Sequence, residues 1–305
     1  MSSPTISLTG STLKHGGMHE VSAFVWLNGE ITERQAASPS ISSVSLHLGI
    51  GVFDGLMAYW NGDHYYIHKG PEHFARFCAG SARMNLSFPW SARALEMSMR
   101  DLLDRLPRRT YYIRPVAYRG APQIFLTGSE ARPADVCIFG VPVARDNDRP
   151  MTCQISTVER ISYRSVPVTW KICGSYVNSY LARRQAETAG FDDAIMLDRA
   201  GNITEASAAN AFFIRGDTVL TPRLNGDVFP GITRTIILEL AAAAGLTCLE
   251  RDLVPSDLED MEGAFLCSTL MEIRPVSSLG ALSFATAEHP TFRTILARFR
   301  GLTHA

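Results

Sequence analysis

Lysine is rare in this chain, and one of the few sits where an amine can act on a carbonyl. Against 26 arginines there are three lysines, Lys14, Lys69 and Lys171. Lys14 lies in a polar N-terminal stretch, and Lys69 in a turn-like His68-Lys69-Gly70-Pro71. Lys171 alone sits in an apolar run, Val166-Pro167-Val168-Thr169-Trp170-Lys171-Ile172-Cys173, which reads as a strand. A single lysine is ordinarily a solvated surface charge. Here apolar neighbours on a strand turn the amine toward a low-dielectric interior on at least one side. Desolvation disfavours the ammonium form and leaves a nucleophile suited to carbonyls, an aldehyde cofactor among them.

Four further groups have chemistry that an aldehyde cofactor with a phosphate would use. Phe229-Pro230-Gly231-Ile232-Thr233-Arg234 runs directly into an apolar helical pattern. A Gly-containing turn at a helix N-terminus presents unpaired N–H groups and the positive end of the helix dipole, which suits phosphate. The ordinary reading of the same stretch is an N-cap, with Thr233 as the capping residue. Glu205 stands beside the small residues Ala206-Ser207-Ala208-Ala209, where a backbone can approach something flat. A carboxylate near a pyridine nitrogen keeps that nitrogen protonated and the ring a better electron sink; the plainer reading is a surface-loop acid. Ser268-Thr269 ends a strand-like Leu266-Cys267 with hydroxyls that either cap a phosphate or simply end the strand. Arg76, on a helical stretch, can fork onto phosphate oxygens, although a surface arginine is the default.

The elements that must position these groups follow from periodicity. Ala23 to Leu27 reads as a strand closed by the turn pair Asn28-Gly29. Phe53 to Tyr59, Tyr65 to Ile67, Tyr111 to Tyr118 and Val136 to Val143 read as further strands. Leu95, Met99, Leu102, Leu103 and Leu106 form one apolar helical face, and Glu72 to Met84 a second helix. Downstream, helices are expected from Tyr176 to Gly190, from Thr233 to Ala244 and from Phe292 to Arg300. Strands are expected at Ala194 to Leu197 and Ala264 to Cys267, with a hairpin at Gly216-Asp217. Mixed strands and helices in both halves predict an α/β (α+β) protein of two domains. The expected limits are a flexible arm at 1–20, a smaller domain at 21–144, a linker at 145–150 and a larger domain at 151–305.

Composition narrows the class. A 305-residue chain with 46% hydrophobic residues has ample material for a core. A formal net charge of -1 offers no basic footprint for nucleic acid. The six cysteines are scattered without metal-ligand spacing and read as reduced, mostly buried thiols of a cytoplasmic protein. No apolar run reaches membrane-spanning length, and the first 18 residues lack a secretory pattern.

Taken together and in order, Trp170-Lys171-x-x-Gly174-x-Tyr176, Thr204-Glu205, Pro230-Gly231-Ile232-Thr233-Arg234 and Ser268-Thr269-x-x-Glu272-Ile273 resemble the branched-chain aminotransferase family, the fold type IV group of pyridoxal-phosphate enzymes. His47-Leu48-Gly49-Ile50-Gly51-Val52-Phe53-Asp54-Gly55 and Tyr112-Ile113-Arg114-Pro115 extend the resemblance to about Val25 to Val276. It implies a two-domain homodimer with pyridoxal 5′-phosphate between the domains and a loop borrowed across the dimer interface. Lys171 would bond the cofactor aldehyde and carry the proton between substrate Cα and cofactor C4′. Glu205 would pair with the pyridine nitrogen and Tyr176 lie near the phenolic oxygen. Arg76, the amides of Ile232 and Thr233, and Thr269 would form the phosphate cup. The substrate side would be built from Phe53, Leu48, Met57, Tyr112, Arg114 and Ser268.

That substrate side departs from the family pattern. Leu48 stands where a tyrosine is usual, Met57 where an arginine is usual, and Asp54 where a glutamate is usual. Ser175 and Ala206 replace an asparagine and a glycine. Losing one arginine and one phenol makes the side more apolar and less suited to acidic side chains. The implied activity is transamination between an amino donor and a 2-oxo acid. An (R)-selective amine or D-amino-acid transaminase, and an aminodeoxychorismate lyase-like β-elimination enzyme, are the competing readings.

Overall fold

Two β-sheets divide the chain between them. The computed structural model describes residues 21–126, 133–143 and 148–303; the expected arm at 1–20 and linker positions 145–147 lie outside the described residues. The first half runs β1 (Phe24–Leu27), β2 (Glu30–Glu33), α1 (Val44–Leu48), β3 (Gly51–Phe53), β4 (Leu56–Trp60), β5 (Tyr65–Ile67), α2 (Gly70–Arg83), α3 (Ala92–Arg105), β6 (Tyr111–Tyr118) and β7 (Asp135–Pro142). Its antiparallel sheet has the order β2-β1-β7-β6-β4-β5, with β3 also on β6. Asn28 and Gly29, both at positive φ, make the tight turn that sets Leu27 opposite Glu30. Ser43 and Ser91 accept N-cap hydrogen bonds from Leu46 and Ala94, starting α1 and α3. The expected face of α3 is buried through Leu95, Met99, Leu102 and Leu103 against Phe74 and Phe77 of α2. Each such side chain contributes about 1.5–3 kcal/mol by burial.

The second half runs β8 (Met151–Ile155), α4 (Tyr176–Thr188), β9 (Asp193–Leu197), β10 (Ile203–Ala206), β11 (Asn210–Arg215), β12 (Thr218–Pro222), α5 (Ile232–Ala243), β13 (Thr247–Arg251), β14 (Gly263–Ser268), β15 (Glu272–Leu279), β16 (Leu282–Ser283) and α6 (Pro290–Thr303). Its mixed sheet has the order β10-β9-β8-β15-β14-β11-β12-β13, with β16 on β15. Strand alternation sends neighbours to opposite faces: Phe213 and Leu266 join one core, Phe212 and Phe265 the other, under α5 and α6. Phe212 and Phe265 are cross-strand partners whose rings stack at 4.9 Å. Gly190 and Gly245 take positive φ just beyond α4 and α5, as their positions in the sequence require. None of the described helices is long and apolar enough to cross a membrane.

Three local expectations are corrected. Lys171 is not on a strand: Val168–Trp170 forms a single 3₁₀ turn, and Lys171 follows it in the left-handed region at φ 55°. The stretch Phe53 to Tyr59 is two strands, because Asp54 turns its carboxylate inward and accepts the Gly55 N–H at 2.7 Å. The cap of α5 is Gly231 rather than Thr233, and no side chain caps its first amides.

Candidate active site

The segment around Lys171 is held by the first half of the chain. The Phe53 N–H donates to the Lys171 carbonyl at 3.2 Å, Val52 bridges to Ile172, and the Gly174 N–H donates to the Gly49 carbonyl at 3.1 Å. A side chain at Gly80 of α2 would meet the Trp170 carbonyl at 2.6 Å, so this close approach requires glycine. A non-glycine residue at positive φ costs of order 1–3 kcal/mol, and these contacts over-determine it. The result is a lysine aimed into a cavity of about 830 Å³ between the two sheets.

There the Lys171 Nζ donates to Tyr176 Oη at 2.9 Å and lies 5.1 Å from the centre of the Phe53 ring and 4.4 Å from that of Phe229. Tyr176 is the first residue of α4, and its ring packs on Phe53 at 4.8 Å. On one side of the amine lies Glu205, from β10, almost wholly buried. Its Oε2 accepts from Asn210 Nδ2 at 3.0 Å and from the Phe229 N–H at 3.1 Å, and its Oε1 from Arg160 Nη2 at 2.6 Å. Burial pushes the Glu205 carboxyl up, and the Arg160 charge is the chief counterweight.

Another part of the wall is an anion cradle. Arg76, on α2, forks onto the buried Asp54 through Nε and Nη2, each at 2.8 Å, and His73 Nδ1 reaches the same carboxylate at 2.8 Å. Burial alone would raise Asp54, but the Arg76 hydrogen bonds and charge, helped by His73, hold it well below the usual carboxylate range. Arg76 Nη1 is buried and has no hydrogen-bond partner among the described residues. The uncapped first turn of α5, with Gly231, Ile232 and Thr233, lines the same cavity, as does Thr269 beyond β14. A side chain at Gly231 would overlap Asn210 Oδ1, so the backbone here admits only glycine without rearrangement.

The remaining wall is mostly apolar. Phe53, Tyr112, Phe139, Val143, Leu270 and Met271 line it. Arg114 stacks over Phe53 at 4.6 Å and donates to Tyr112 Oη at 3.0 Å. Thus Arg76, Lys171, Tyr176, Glu205, Ile232, Thr233, Thr269, Phe53, Tyr112, Arg114 and Ser268 come together in one cavity. Two residues expected on its substrate side do not line it within the chain. Met57 of β4 shares a face with its strand partner Tyr112, but it is buried by packing with Tyr59, Tyr112 and Leu270 and is not part of the cavity surface. Leu48 ends α1 and is exposed, since Gly49 turns the chain through positive φ directly after it.

Arg160, Asn210 and Phe229 also form the site and were not singled out in the sequence. Asn210 and Phe229 lie within or beside motifs already noted. Arg160 sits in an irregular stretch, one arginine among 26, with no local signal to mark it.

The chain is similar to known proteins over most of its length. The Amino-transferase class IV family model matches residues 51–279. The "Probable branched-chain-amino-acid aminotransferase" of Aquifex aeolicus is 30% identical over 259 residues, covering 83% of each chain. The branched-chain-amino-acid aminotransferase of Escherichia coli K12 is 27% identical over 291 residues, covering 92% of each. The crystal structure of the branched-chain aminotransferase of Thermoproteus uzoniensis with norvaline superposes with a TM-score of 0.88 at 30% identity, covering 93% of this chain and 96% of that one. The PLP-form of the Thermobaculum terrenum enzyme gives 0.87 at 25% identity, covering 93% and 95%.

Proposed function

The chain belongs to the class IV aminotransferases, and on that premise we propose that it is a pyridoxal 5′-phosphate-dependent transaminase whose cofactor attaches to Lys171. The observation that carries this reading is the Lys171 amine, 2.9 Å from Tyr176 Oη, in a cavity that also holds the anion cradle and a buried carboxylate. The residues suit the group. Arg76 Nη1 and the uncapped α5 amides are donors in need of an anion, and Glu205 is a buried acceptor for a ring N–H.

Bound there, pyridoxal 5′-phosphate would supply an aldehyde to take up the amino group and a protonated ring to accept the electron pair released at substrate Cα. Lys171 would hold the group through its amine, and the same amine is placed to act as the base for the proton at substrate Cα. The Tyr176 hydroxyl holds that amine in place. Arg76, Ile232, Thr233 and Thr269 would hold the phosphate, and Glu205 would orient the ring and favour its protonated nitrogen. On the substrate side Phe53, Tyr112, Leu270 and Met271 exclude water around an apolar side chain. Arg114 and Tyr112 offer donors to a carboxylate, and Ser268 lies beside them.

We further propose a cytoplasmic homodimer. Val177, Tyr180 and Leu181 fall at i, i+3 and i+4 on the exposed side of α4. Leu46 and Leu48 are exposed just before Gly49, which hydrogen-bonds Gly174 near the start of that helix. A second copy covering this face would bury Leu48 at the interface, consistent with its place outside the cavity of its own chain.

The test is a half-reaction. Protein loaded with pyridoxal 5′-phosphate and given an amino donor should convert the cofactor to its pyridoxamine form, followed by absorbance, and Lys171→Ala should lose both the bound absorbance and turnover. A screen of both enantiomers of amino acids and arylalkyl amines reads the substrate range. Pyruvate release from aminodeoxychorismate with the cofactor unchanged would overturn transamination in favour of β-elimination.

A further inference from the structure

Glu205 draws its charge balance from a residue outside every motif in the chain. Its Oε2 is held by the neutral donors Asn210 Nδ2 and the Phe229 N–H, whereas Oε1 meets Arg160 Nη2 at 2.6 Å. Both side chains of the pair are at least nine-tenths buried. Arg160 is itself locked by three other segments. Its backbone N–H donates to the Leu197 carbonyl of β9 at 2.8 Å, Nε to the Asp227 carbonyl at 3.3 Å, and Nη1 to Ser179 Oγ of α4 at 3.3 Å. A guanidinium does not lose its proton in a protein, so it is a fixed positive charge. Set against a buried carboxyl, a fixed charge favours the anion that burial otherwise disfavours.

Resting on the transaminase reading above, we propose that Arg160 is the positioning residue that keeps Glu205 ionised and oriented toward the cofactor ring. Lys171 and Arg234 add smaller favourable charges at Glu205 without touching it, and other arginines of the wall are held by other partners. Arg76 is committed to Asp54, Arg183 pairs with Glu187 at 3.0 Å, and Arg114 stacks on Phe53. Arg160 alone contacts Glu205 among the ion pairs of the described residues. Without it the chief counterweight to burial is lost, the Glu205 carboxyl is pushed further toward its neutral form, and a neutral carboxyl stabilises charge on a ring nitrogen less well. Arg160 then acts through Glu205 and touches neither substrate nor reacting atoms.

The experiment compares Arg160→Met, Arg160→Lys, Glu205→Gln and the Arg160→Met/Glu205→Gln double variant, each loaded with pyridoxal 5′-phosphate. Three quantities are read: the pH profile of the bound cofactor's absorbance, the cofactor dissociation constant, and the split between kcat and KM. Arg160→Met and Glu205→Gln should shift the absorbance profile alike and lower kcat about 10²–10³-fold, the usual loss on removing one preorganised electrostatic group, with KM changed only a few-fold. The double variant should be no worse than Glu205→Gln, because the two act as a unit. Arg160→Lys, which keeps the charge, should recover most of the profile and of kcat. Arg160→Gln carries the same expectation as Arg160→Met should the latter fail to fold. A wild-type absorbance profile in the folded neutral variant, or losses that multiply in the double variant, overturns the role of Arg160. Failure of the transaminase reading itself shows separately, as turnover and bound absorbance retained in Lys171→Ala.

Discussion

Tyr59 Oη donates a 2.9 Å hydrogen bond to Glu272 Oε1, both side chains buried, and so ties strand β4 of the first sheet to the first residue of β15 in the second. Glu272 stands at φ 58° and closes the turn from Ser268 to Met271, whose residues line the cavity. The turn that carries Thr269 is thus held in shape from the other half of the protein. Tyr59→Phe should lower unfolding stability by about 1.5–3 kcal/mol, the range for a hydrogen bond to a charged group, and weaken cofactor retention. Glu272→Gln keeps an acceptor and should lose less. Urea unfolding with a cofactor titration checks both.

The Asp54–Arg76 pair gives a second prediction. Asp54→Asn removes the carboxylate that fixes the Arg76 fork while leaving Arg76 in place. Cofactor affinity should fall about 10–100-fold, equivalent to about 1.5–3 kcal/mol for a charge-assisted contact. Inorganic phosphate should compete less well with the variant than with the parent. Unchanged affinity would mean that α2 alone orients Arg76.

Gly55 separates substrate binding from cofactor binding. A methyl group at this position would overlap the Tyr112 hydroxyl. Gly55→Ala should therefore displace Tyr112 and its Arg114 partner, raising KM for a carboxylate-bearing substrate about tenfold or more while the cofactor dissociation constant stays near its parent value. Steady-state kinetics beside a cofactor titration distinguish this from general misfolding, which would move both.

Acid sensitivity should trace in part to His68. Burial, then the nearby His73 and Lys69 charges, push it down to about 4, and its Nε2 is buried without a partner among the described residues. The unfolded chain binds a proton near the ordinary value of about 6.5, whereas the folded chain stays neutral until about pH 4. This contribution to stability is complete above pH 6.5 and is lost as pH falls from there toward 4. His68→Phe, with a ring that can keep the contact with Phe299, should flatten the stability profile across that window in thermal unfolding measured at successive pH values. A profile as steep as the parent's would assign the acid sensitivity to other groups.

Much of this was legible in the sequence because it is local. The faces of α3 and β14, the turn glycines and the ordered motifs around Lys171, Glu205, Ile232 and Thr269 are set by residue type and short-range spacing, which periodicity and turn chemistry report directly. Even there the details shifted. An apolar run was not enough to make Lys171 a strand residue, because its conformation depends on docking against Phe53, Gly49 and Gly80 from the first half.

What only the tertiary structure decided is which distant residues share an environment. Met57 lies two residues from Gly55 and on the same face as Tyr112, yet packing against Tyr59, Tyr112 and Leu270 buries it and keeps it off the cavity surface. Leu48 is turned to the surface by Gly49. Arg160 carries no signal of its own and meets Glu205 only where β9, α4 and the segment before α5 hold it. The candidate Lys171 and its motif are thus local features of the chain, while the surroundings of Glu205 and the shape of the cavity wall arise from contacts spanning tens to hundreds of residues. No local pattern encodes such contacts, since they are set by how two sheets meet.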